Sequence, residues 1–144
     1  MKINLFVFII AAVVVLSCSS FKKAILIDGV VEEKARIEAT DNPAMKSLIR
    51  DELGKRRIEL VGLTVKDVVD SGNIDYDFCV IADVQTQKGT VQCHIYTTDV
   101  KTVAKLVKGK SIIDASGDFG RFFSLLDSYY TRLEVVKASI RIKG

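Results

Sequence analysis

The chain has 144 residues and a formal charge of +3 from 21 basic and 18 acidic side chains. That length makes one domain, and an apolar share of 49% is enough for a single core. A surface so nearly balanced lacks the basic footprint of a duplex-binding protein, and one histidine with three cysteines, none in CxxC spacing, lacks the common zinc-site patterns.

The chain opens with Lys2 and an apolar run from Leu5 to Leu16 that stops at Ser17-Cys18-Ser19-Ser20. The run is shorter than the roughly 20 residues that cross a bilayer as a helix, so residues 1–17 read as an export signal. Val15-Leu16-Ser17-Cys18 resembles the lipobox of bacterial lipoproteins. The resemblance implies a lipoprotein-type signal peptide over 1–17, acylation of Cys18, a short tether over 18–23, and a mature domain held by lipid on the extracytoplasmic side of the bacterial cell envelope. Plain secretion or an uncleaved anchor, and a hydrophobic N-terminus with no export role, are the alternatives. Lys22 and Lys23 serve solubility or touch anionic headgroups.

Residues 24–54 read as a helical segment. Ile27, Val30, Val31 and Ala35 can share a helical face, although Asp28-Gly29 between apolar runs is also a hairpin signal. Asp41-Asn42-Pro43 breaks the chain and restarts it, with a capping side chain before a proline at the first helical position. Met45, Leu48, Ile49 and Leu53 form the expected core stripe, and Gly54 ends it.

From Lys55 the apolar period becomes two. Ile58 and Leu60 alternate with charged neighbours, and after Gly62 the regular set becomes Val61, Leu63 and Val65. A glycine with a phase change predicts a bulge in a long first strand, which a small closed barrel needs. Tyr76 to Val84 is the second strand and Gln85 to Gly89 a hairpin connection. In the third strand Val91, Cys93 and Ile95 face in, which turns Gln92, His94 and Tyr96 outward to a wet face. Asp99 can cap a helix over 100–107 that closes at Gly109. Ser111 to Phe123 is the fourth strand, bent at Gly117 and Gly120, then a loop over 124–131 and a last strand from Leu133 to Ile142. The chain is thus mainly β with N-terminal helices, and residues 55–144 form a five-stranded OB-fold barrel with a helix between strands three and four.

On Val61-Gly62-Leu63-Thr64-Val65, Val91-Gln92-Cys93, the Val100–Val107 run, Lys108-Gly109-Lys110 and the closing strand, residues 55–142 resemble the bacterial tRNA-anticodon-binding-like OB-fold family of small exported or lipid-anchored proteins. The resemblance implies a fold, not a tRNA partner.

A barrel of this kind binds across its second and third strands and the adjoining loops. The candidate ligand-binding residues are Gln92, His94, Tyr96, Arg121, Phe123, Tyr129, Tyr130 and Arg132, with Asp77 and Phe122 beside them. Aromatics among arginines can stack on rings, whereas the plainer alternative divides Phe122 and Phe123 between core and rim. Cys79 and Cys93 lie on strands expected to pair. Their parities put them on opposite faces if Asp77 and Asp83 are exposed, which favours two separate thiols over a bridge. The chain has no nucleophile elbow, no phosphate loop, and a histidine without an identifiable carboxylate and nucleophile partner, while Asp114 and Asp118 read as solvated turn acids. No enzyme, cofactor or metal is expected. The expected function is an envelope binding module for a protein, peptide or glycan. A single-stranded nucleic-acid binder and a structural envelope lipoprotein are the alternatives.

Overall fold

The computed structural model describes the backbone of residues 21–125 and 130–144 and the side chains of residues 21–123 and 131–144. Cys18 and Tyr129, with residues 1–17, lie outside the described residues, and so does the side chain of Tyr130.

In chain order the elements are β1 (Ala24–Leu26), α1 (Ile27–Ala39), α2 (Pro43–Gly54), β2 (Arg57–Asp70), β3 (Phe78–Thr86), β4 (Gly89–Thr97), α3 (Val100–Val103), β5 (Ile112–Leu125) and β6 (Tyr130–Ile142). The sheet runs β1-β2-β3-β4-β6-β5, and β5 pairs back onto β2. The five strands β2 to β6 therefore close into an OB-fold-like barrel. Within the ring β4 and β6 are parallel and the other neighbours antiparallel, while β1 lies parallel on residues 57–59 of β2.

Closure depends on β2 serving two neighbours. Its first half, to Thr64, pairs with β5, and its second, from Thr64, pairs with β3. Between them Gly62 takes φ +68° and the register with β5 slips between Leu60 and Leu63. Ile58 and Leu60 before the slip and Leu63 and Val65 after it all point inward, whereas Val61, expected with the inward set, is 61% exposed. The extra residue of a bulge is turned out of the ladder. Asp114 Oδ1 accepts the freed Gly62 N–H at 2.9 Å, so the bend leaves no orphaned donor.

β5 bends by a different device. Its register with β6 slips between Ser116 and Asp118 and again between Phe119 and Arg121. The glycines at these slips let the two backbones touch: a Cβ on Gly117 would stand 2.6 Å from the Val136 carbonyl oxygen, and one on Gly120 would stand 2.9 Å from that of Glu134. Across from the first slip Lys137 takes φ 49°.

Val30, Val31 and Leu53 from the helices join the barrel's own apolar cluster, whose interior includes Ile58, Val80, Ile95, Leu133 and Val135. Asn42 Oδ1 caps α2 by accepting the Ala44 and Met45 N–H groups. The α2 stripe is narrower than its spacing implies. Ile49 and Leu53 are buried, but Met45 and Leu48 are 45% and 59% exposed because the helix rests on only one edge of its apolar face. Asp28-Gly29 makes no hairpin and sits in the first turn of α1, where Gly29 packs on Ile25.

α3 is a single turn, shorter than the 100–107 run its apolar spacing suggests. Asp99 Oδ1 accepts the Thr102 N–H at 3.1 Å, and further along Gly109 donates its N–H to the Val65 carbonyl at 2.8 Å. That tertiary bond draws the chain back to β2 before the helix can lengthen. Leu106 still packs against the core. No helix among the described residues is long and apolar enough to cross a membrane.

Candidate functional site

Residues opposite one another in neighbouring strands share a face, so the register places the candidate residues directly. One row crosses the outside of the barrel as Asp83, Gln92, Arg132 and Phe123, and the next as Ile81, His94, Glu134 and Arg121. Cys79 and Tyr96 begin a third. Gln92, His94, Tyr96, Arg121, Phe123 and Arg132 thus lie on one continuous face. Phe122 pairs with Leu133 and packs against the core instead, so the two phenylalanines divide between inside and outside.

The face is packed where a wet surface was expected. His94 is only 8% exposed and Glu134 only 7%. Outward direction does not mean exposure here, because the long side chains of neighbouring strands lie over the centre. Arg132 Nη2 stands 2.9 Å from His94 Nδ1, and Gln92 Oε1 stands 2.9 Å from His94 Nε2. A guanidinium can only donate, so Nδ1 is the bare nitrogen, and Nε2 carries the proton that the Gln92 carbonyl accepts. His94 is therefore neutral in this arrangement. Burial first, and then the Arg132 charge, hold its pKa below the ordinary histidine value, against the opposing pull of Glu134 and Asp83.

The sign of the linkage follows. The pKa is lower folded than unfolded, so the contribution of His94 to stability is complete above the unfolded value of about 6.5 and is lost as pH falls through the folded value. Urea unfolding should show stability beginning to decline as pH falls below about 6.5, before the main carboxylate range is reached, with that early decline absent in His94→Gln. A decline that persists in His94→Gln would assign the effect to another group.

Glu134 was not among the sequence candidates, yet it ties the face together. Arg121 Nε donates to its Oε2 at 2.7 Å, and Arg132 Nη2 lies 3.7 Å from its Oε1. The guanidinium carbon of Arg121 stands 4.4 Å from the centre of the Phe123 ring and that of Arg132 stands 5.5 Å away. Two cations thus share one ring, with a buried carboxylate between them. Arg132 Nε is buried with no hydrogen-bond partner among the described residues. The available sequence signal was a glutamate alternating with core residues Leu133 and Val135, two positions after an arginine.

Cys79 lies on the same outer face, its Sγ 3.6 Å from His94 Nδ1. This is no activated thiol. Nδ1 already takes the Arg132 N–H, and burial pushes the Cys79 pKa up to about 11, leaving a neutral thiol at physiological pH. Cys93 pairs with Ala82 on the inner face, where burial pushes its thiol up to about 12. Both cysteines are free. Asp114 and Asp118 do not form a pair either: Asp114 takes Arg141, Lys143 and the Gly62 N–H, and Asp118 takes Lys22. Among the described residues no group of three or more His, Cys, Asp and Glu side chains could hold a metal.

A large cleft lies elsewhere, between α1, α2 and β5, and meets this face at Arg121. No family model and no curated protein matches the chain.

Proposed function

We propose that the chain is a non-catalytic OB-fold binding module, held to a membrane by an acylated Cys18 on the extracytoplasmic side of the envelope. It engages a protein or peptide segment on the outer face of β3, β4 and β6. The observation that carries this reading is the stack of Arg121, Phe123 and Arg132 on buried Glu134. A fixed ring flanked by guanidinium planes is a prearranged contact surface, and prearrangement lowers the ordering cost of binding. Among the described residues Arg121 commits only its Nε, and its side chain is 65% exposed, so its remaining donors are open to a carboxylate or backbone carbonyl of the partner. Glu134 pairs with both arginines and Asp83 with Lys66, so the face carries little uncompensated positive charge, which disfavours a phosphate backbone as the ligand.

A second reading has its own support. Met45 and Leu48 are exposed side by side on α2, a surface on which a partner of a purely structural lipoprotein could pack.

The test is photo-crosslinking in cells, with benzoylphenylalanine placed at Phe123, at Leu48 or at the exposed bulge residue Val61. The expected result is a discrete protein adduct from position 123 and none from 61. The same cells, fed an alkyne fatty acid, should label the wild type and not Cys18→Ser. An adduct from position 48 alone would move the interface to the helices. Equal adducts from 123 and 61, or label retained in Cys18→Ser, would overturn the face or the anchor respectively.

A further inference from the structure

Between α1, α2 and the bend of β5 lies a cleft of about 820 Å³, within the size range of small-molecule sites. Its apolar lining comes from Ile37 on α1 and from Phe119 and Phe122 on β5, whose rings pack with centroids 4.9 Å apart. In a regular strand residues three apart point to opposite faces. Here the slip at Gly120 brings Phe119 opposite Val135 and Phe122 opposite Leu133, both interior residues, so the two rings come together. The aromatic lining is thus a product of the bulge.

The polar lining is unevenly committed. Lys34 is paired with Glu38 and Arg121 with Glu134. Arg50 and Lys55 also line the cleft, and neither makes an ion pair or a side-chain hydrogen bond among the described residues, which leaves Asp51 as the opposing charge. The nearby end of α2 does not present bare carbonyls to an anion. The N–H groups of Lys55 and Arg56 take the carbonyls of Glu52 and Leu53, and Lys22 Nζ lies 3.4 Å from that of Gly54.

We infer that this cleft binds a small anionic amphiphile, with its apolar body against Phe119, Phe122 and Ile37 and its phosphate or carboxylate on Arg50 and Lys55. The site adjoins the β3–β4–β6 face at Arg121 but uses different contacts, and its occupancy does not depend on a partner there. Its ligand chemistry has two sources, a free amphiphile or the headgroup region of an anionic bilayer. The second is within reach because the chain before β1 runs past this end of α2, with Lys22 bridging to Asp118 beside Phe119.

The probe is 1-naphthyl phosphate, titrated into the isotope-labelled full chain held in neutral phosphatidylcholine nanodiscs. The amide signals of Gly54, Gly120 and Phe122 should move along one saturable curve. Arg50→Glu with Lys55→Glu should weaken that curve at least about tenfold without moving the urea midpoint. Inorganic phosphate and neutral 1-naphthol should each bind at least about tenfold more weakly. The same amides already shifted in nanodiscs containing phosphatidylglycerol would assign the bilayer as the source, and unshifted amides would assign a free ligand. No saturable shift in the wild type up to about 10 mM, equal binding by the double variant, or equal binding by phosphate or naphthol would each overturn the site.

Discussion

Gly117→Ala is expected to lower the free energy of unfolding by about 3 kcal/mol, the upper part of the usual overpacking range. The added Cβ would lie 2.6 Å from the Val136 carbonyl oxygen, 2.7 Å from Val135 Cγ1 and 3.1 Å from Ala138 Cα. Two of those three neighbours are backbone, so relief requires β5 and β6 to separate where the barrel bends, and a rotamer change alone cannot supply it. Gly54→Ala is the matched control. Its Cβ would meet nothing within 4 Å and the residue closes α2, so its effect should be neutral or stabilising by up to about 1 kcal/mol. Urea unfolding of the two variants side by side tests the point, and equal midpoints would mean that the strands yield at no cost.

The second large effect is expected at Glu134. Truncation to alanine removes the carboxylate on which both arginines converge, and one of them, Arg132, has a buried Nε with no partner among the described residues. Breaking a fully buried pair costs about 3–5 kcal/mol. The Arg121 and Arg132 side chains are 65% and 32% exposed and can partly recover water, which brings the expectation to about 2 kcal/mol. Glu134→Gln keeps the shape and an acceptor oxygen and should cost about half as much. Beyond stability, Glu134→Ala should release Arg121 from Phe123 and abolish the adduct formed at position 123. A loss below about 0.5 kcal/mol with the adduct intact would show that the arginines hold the ring without the carboxylate.

The parts of this barrel that could be read from the sequence are those governed by local period. A phase change at Gly62 marked the bend in β2, and alternation through Val91, Cys93 and Ile95 marked which side of β4 faces the core. Glycines 117 and 120 marked the slips in β5. Six of the candidate residues fall on one face for the same reason, because alternation and strand order together set direction.

What could not be read depends on contacts between distant segments. Period two tells which way His94 points but not that Arg132, 38 positions later, lies across it. Glu134 carries no local mark of its role, and only the parallel pairing of β4 and β6 sets it beside His94. The pairing of Phe119 with Phe122 contradicts the period of a regular strand and exists only because the register slips. The short α3 has the same kind of cause, since the Val65 carbonyl that takes the Gly109 N–H is 44 positions earlier by numbering. On α2 only Ile49 and Leu53 of the expected core stripe are buried, because its width against the barrel is not a property of the helix alone.

The parallel seam between β1 and β2 has a mechanical consequence. The Arg57 N–H bonds the Lys23 carbonyl at 3.1 Å, residues 24–26 run alongside 57–59, and Lys22 clasps Asp118. A pull along the axis of this short strand loads its hydrogen bonds together in shear, so they do not open one at a time. The N-terminal lead is thereby stitched to the barrel wall. Tension applied there reaches β2 and β5 as a single body before it can peel α1 from the end of the barrel.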